Sequence, residues 1–127
     1  MSSAARSLYV FGIYAIVAGA GLLLTPNLVL NPLGFPPAPE GWVRVVGALA
    51  FFLGIYHTNA ARNEFLPYIR VSVLTRVGFA AILTTLVVFA QMPKPTLVFA
   101  AVEFVAAVWT WLALRSSATA PAHASAG

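Results

Sequence analysis

The chain has 127 residues, 61% of them hydrophobic and 8% charged, with a mean hydropathy of +0.90. Soluble domains carry about 25% charged residues, so this composition excludes a soluble globular protein and a disordered one, and leaves room for a single lipid-solvated domain. Seven Lys and Arg against three acidic residues give a net charge of +4, too dispersed for a nucleic-acid surface and better suited to fixing orientation in a membrane; the lack of cysteine removes disulfides, thiolate metal sites and cysteine nucleophiles.

A membrane-spanning helix needs about 20 mostly apolar residues, and four windows qualify: Leu8 to Leu24, Trp42 to Ala61, Tyr68 to Ala90 and Thr96 to Leu114. The expected fold is all-α: an integral membrane four-helix bundle over residues 1–115, with short loops and an interfacial first loop. In the first window, Gly19-Ala20-Gly21 runs on into three leucines and then Thr25-Pro26, which predicts a retained helix rather than the shorter apolar core of a signal peptide. Asn27 to Phe35 mixes apolar residues with Asn, Pro and Gly; it is too broken to span and is expected to cap the bundle at the interface.

Pro36, Pro37 and Pro39 precede the second window, Pro67 separates the second from the third, and Pro93 and Pro95 separate the third from the fourth. Proline costs about 3 kcal/mol inside a helix and little at its first turn, so these residues punctuate the helices. Residues 116–127 are Ser, Ala, Thr, Pro and Gly with His123, a composition expected to stay disordered. Arg6, Arg62, Arg70 and Arg115 flank one membrane face while Arg44 and Lys94 flank the other, which predicts cytoplasmic termini in a cell membrane.

Small residues at four-residue spacing, Ala15/Gly19, Ala50/Gly54 and Ala80/Thr84, are read as helix-packing surfaces. Tyr14 lies deep enough in the first window to hydrogen-bond inside the bundle. His57 stands near the loop end of the second window. An interfacial hydrogen bond is expected for it, with a single axial haem ligand as the alternative. Arg62, Asn63, Glu64 and Arg70 read as a solvated turn that also meets anionic headgroups, and the other aromatics as an interfacial belt.

Intramembrane charges cost at least about 2.5 to 3.5 kcal/mol, which makes Arg76 and Glu103 the informative residues. Arg76 shares a helical face with Ser72, Ala80 and Thr84; Glu103 shares one with Thr96, Ala100, Ala107 and Thr110. Both faces should point inward, at depths within about 8 Å of one another by the helical rise. They are expected to form a structural ion pair, with a proton, ion or anionic-ligand site, or separate partners for each residue, as the alternatives.

No phosphate-binding loop, GxSxG, HExxH or carboxylate pair is present, so no residue is assigned a catalytic role, no metal site is expected and no cofactor is named. An Arg before a Gly-rich first helix, the loop residues Gly34-Phe35-Pro36, and the run from Arg44 to Gly54 resemble the small four-helix bacterial membrane proteins of the DoxX-like type. Some of those serve as subunits of quinone-linked oxidoreductases, so the resemblance implies fold more than activity. The favoured reading is a noncatalytic subunit or homo-oligomer, with membrane lipids or a membrane complex as partners. A binder or enzyme for a small lipophilic ligand around Glu103, Arg76 and Tyr14, and a minimal proton or ion pathway through Glu103 and His57, are the alternatives.

Overall fold

The structure, a computed structural model, describes residues 1–118. Helix α1 spans Ser3–Leu24, a short α2 spans Pro26–Leu30 and continues as a 3-10 turn over Asn31–Leu33, and three long helices follow: α3 Glu40–Arg62, α4 Leu66–Val88 and α5 Thr96–Ala118. Helices α1, α3, α4 and α5 are each long and apolar enough to cross a membrane, and the chain is a small multi-pass membrane protein built as an all-α four-helix bundle. Large side chains such as Trp42, Leu74 and Val105 stand exposed on the outside, as lipid solvation requires.

Several helix ends differ from the sequence windows for local reasons. Helix α1 begins at Ser3 because the Ser2 hydroxyl accepts from the Ala5 amide at 3.1 Å, a side-chain N-cap. Pro67 sits in the first turn of α4, where its missing N–H costs no bond. Helix α5 continues to Ala118, so the first three residues of the expected tail are helical; the rest of that tail, His123 included, lies outside the described residues.

The first loop is tied down at the opposite end of the bundle. Arg44 Nη1 donates to the Leu23 carbonyl at 2.6 Å and to Leu24 at 3.3 Å, satisfying carbonyls that the end of α1 leaves open. Arg44 also pairs with Glu40 at 3.6 Å, and Glu40 accepts from Asn27 at 3.0 Å. Leu30 is buried, and the Phe35 ring lies 5.9 Å from that of Phe99 on α5.

Helix α1 is the centre of the assembly. It packs against α3 over the most extensive interface in the molecule and also against α5, which in turn carries α4; α3 meets α4 over little area and does not reach α5. The α1–α3 contact is close because glycines face each other across it. A Cβ on Gly54 would stand 2.7 Å from the Gly12 carbonyl oxygen, and one on Gly47 would stand 2.7 Å from that of Gly19. Two glycines seven residues apart on each antiparallel helix thus bring the backbones together.

Candidate functional site

The inward stripes of four helices converge on a polar cluster around Phe11. On α4, Ile69, Ser72, Arg76 and Ala80 are buried; on α5, Thr96, Ala100, Ala107 and Thr110 are buried. These are the faces expected from the sequence. Arg76 is only 3% exposed, and its guanidinium is held from both helices: Nε donates to the Ser72 carbonyl at 3.0 Å, and Nη2 donates to Ser72 Oγ at 3.2 Å and to Thr110 Oγ1 at 2.8 Å. The Ser7 and Thr110 hydroxyls share a further bond of 2.7 Å, which links α1 to α5. The guanidinium carbon also lies 4.9 Å from the Phe11 ring centroid, a cation–π contact.

This geometry corrects the expected ion pair. No ion pair or hydrogen bond joins Arg76 to Glu103 among the described residues; two hydroxyls and a carbonyl take the guanidinium instead. The physical reason is position along α5. Thr110 lies two turns closer than Glu103 to the α3–α4 loop, at the depth where the Arg76 side chain, leaning back toward the start of its own helix, delivers its nitrogens. Glu103 remains partly buried on the same stripe and within Coulombic range of Arg76 and Tyr14.

His57, 4% exposed, is an interior residue and not an interfacial one. Its Nδ1 is 2.7 Å from the Tyr68 hydroxyl, and its ring lies 5.5 Å from Phe11 and 5.6 Å from Tyr68, centroid to centroid. Tyr14 is partly buried with its ring 5.6 Å from Phe11. Phe11 therefore touches Tyr14, His57 and Arg76 together, while Glu103 is related to two of them, Arg76 and Tyr14, by charge and not by contact. The residues that assemble the cluster, Phe11, Ser7 and Tyr68, were not marked out: Phe11 and Ser7 carry no signal beyond lying one turn apart, and Tyr68 reads as part of the aromatic belt.

Two nitrogens of the cluster, Arg76 Nη1 and His57 Nε2, are buried without a hydrogen-bond partner, a state that costs roughly 1–3 kcal/mol for each group. Among the described residues no three His, Cys, Asp or Glu side chains converge as a metal site would require. An apolar groove of about 560 Å³ runs between α4 and α5, lined in part by Val77, Ala81, Ala101 and Phe104. It also includes Ala80 and Ala100, which stand one turn beyond Arg76 and Glu103 on the same inward stripes. Comparison with protein-family models, curated proteins and solved structures finds no match to this chain.

Proposed function

We propose that this protein binds a small amphipathic ligand within the membrane, with the ligand's apolar part in the α4–α5 groove and its polar head at the Phe11 cluster. The observation that carries this reading is the continuity of the two: Ala80 and Ala100 line the groove and are the next turns of the stripes that bear Arg76 and Glu103. The noncatalytic-bundle reading keeps its support, because Arg76, Thr110 and Ser7 fasten α4, α5 and α1 together, but it gives no role to the groove beside them. Fold kinship with the DoxX-like proteins and cytoplasmic termini are retained as parts of the proposal, on the residues from Arg44 to Gly54 and on the distribution of arginines.

Native mass spectrometry of the detergent-purified protein tests this. The wild-type chain should carry a lipophilic adduct. Ala101→Leu, which fills the groove from an exposed position, should lose it without loss of fold. A bare wild-type chain, or an adduct indifferent to Ala101→Leu, rejects the proposal. A wild-type dimer that Ala101→Leu dissociates assigns the groove to a second copy of the chain instead.

A further inference from the structure

We propose that a phospholipid of net negative charge docks on the outer seam of α4 and α5, with its phosphate between Arg70 and Arg115 and an acyl chain in the groove that these residues close. A second apolar groove lies on this seam toward the α3–α4 loop. It is lined by Val73, Val77, Ala107, Val108 and Trp111 and meets the larger groove at Val77. Val77 and Trp111 stand exposed, so the groove opens on the bilayer.

The side chains at its end point to the occupant. The Arg115 guanidinium lies over the Trp111 ring, 5.2 Å from the centroid, and Trp111 is itself part of the groove wall. On the other wall Arg70 stands one turn before Val73, on the face of α4 that Val73, Val77 and Ala81 continue at three- and four-residue steps. The two arginines share one level. Ile69, beside Arg70, is buried in one apolar cluster with Ala113, and Leu114, beside Arg115, packs against it. Axes of packed helices lie about 8 to 10 Å apart, a gap that two long exposed side chains span.

Charge selects the headgroup. Glu64, the one acidic side chain at this end of the bundle, accepts from Ser2 and faces the N-terminal amine at 3.9 Å. No ion pair takes Arg70 among the described residues. Guanidinium groups meet phosphate oxygens through paired N–H bonds, and an indole such as Trp111 settles at headgroup height. In the proposed orientation this leaflet is the cytoplasmic one, which carries the anionic lipids. A zwitterionic lipid offers the same phosphate but cancels its charge with an amine, so net charge is what two arginines distinguish. The site is separate from the ligand site proposed above, which takes the other half of the seam and turns its polar head inward.

The test is native mass spectrometry of the delipidated full chain in detergent, titrated with dioleoyl phosphatidylglycerol, dioleoyl phosphatidylcholine and glycerol phosphate. The anionic lipid should form a one-to-one adduct about thirtyfold tighter than the choline lipid, from about fivefold for each of two basic groups at a membrane surface. Glycerol phosphate, which has the anion and no chain, should not bind. Arg70→Gln and Arg115→Gln, both at exposed positions, should each weaken the anionic lipid about fivefold and leave the choline lipid unchanged. Arg62→Gln is the control and should change neither: Arg62 ends α3, and α4 turns Tyr68 to that helix, about 200° around from Arg70. Equal binding of the two lipids, binding of glycerol phosphate as tight as that of the anionic lipid, or a loss in Arg62→Gln equal to that in Arg70→Gln overturns the proposal. Arg70→Gln should also leave in place the adduct that is sensitive to Ala101→Leu, so that either reading can fail without the other.

Discussion

Arg76 on α4 donates to Thr110 on α5 at 2.8 Å, and this bond between a cation and a neutral hydroxyl joins the two helices in the bundle interior. A charge-assisted bond of this kind contributes about 1.5 to 3 kcal/mol. Thr110→Val, which keeps the shape and removes the acceptor, should therefore destabilise the protein in detergent by about that amount. Glu103→Gln, at a residue with no direct partner among the described residues, should change stability by less than about 1 kcal/mol. Denaturant unfolding of the two variants compares them directly, and a loss in Glu103→Gln as large as that in Thr110→Val would restore the ion pair.

The glycine interface makes a prediction with an internal control. In Gly54→Ala the new methyl would meet the Gly12 carbonyl oxygen at 2.7 Å, so α1 and α3 must separate. Overpacking of this kind costs about 1 to 3 kcal/mol. Gly78 on α4 has nothing within 4 Å of the corresponding position, and Gly78→Ala should stabilise by about 0.5 to 1 kcal/mol through helix propensity alone. Thermal melts of the two variants should shift in opposite directions.

A pH effect should arise outside the membrane. Glu64, in the α3–α4 loop, accepts hydrogen bonds from the Ser2 amide and, at 2.8 Å, from the Ser2 hydroxyl. These bonds favour the carboxylate and hold its pKa below the usual 4.5. A depressed folded-state pKa gives stability that is present above the unfolded value and lost as pH falls through the folded one. Melting temperatures of wild type and Glu64→Gln should therefore converge as the pH drops below the usual carboxylate range, with the wild type the more stable at neutral pH. The carboxylate is exposed, so the difference should be small and should shrink further in high salt.

The Ser2–Glu64 bonds also place the start of α1 and the α3–α4 loop at one end of the bundle, and in the proposed orientation that end faces the cytoplasm. Cysteines introduced singly at Ser3, Asn63 and Ser117 should all be protected from an impermeant thiol reagent in intact cells. Labelling of all three would invert the orientation, and labelling of Asn63 alone would break the four-span arrangement.

The architecture and the inward faces of α4 and α5 were legible in the sequence, because in a lipid-solvated chain small and polar residues at helical spacing have only the interior to occupy. Prolines marked the helix ends for the same kind of reason. The partner of Arg76 was not legible. A long side chain could close the depth gap to Glu103 only by leaning toward the end of its own helix, whereas Arg76 leans by about a turn toward its start, to Ser72 and Thr110. The packing glycines were found only in part: Ala15/Gly19 and Ala50/Gly54 satisfy the four-residue pattern, while the contact is made by Gly12 with Gly54 and Gly19 with Gly47. That seven-residue spacing becomes recognisable only when the two helices are set antiparallel, and His57 read as interfacial because Tyr68, its partner, lies beyond the loop.

The bond between Ser7 and Thr110 spans 103 positions of the sequence. Helices α1 and α3 are able to associate as soon as both are in the bilayer, and α4 and α5 meet across a short turn, but α1 and α5 close against each other only once Thr110 has been made. Until then the hydroxyl of Ser7 keeps only the Ala4 carbonyl and the guanidinium of Arg76 only Ser72 as hydrogen-bond partners. Closure of the bundle therefore waits for α5 to dock onto α1, and a chain interrupted before Thr110 would hold Arg76 by its Ser72 bonds and the Phe11 ring alone.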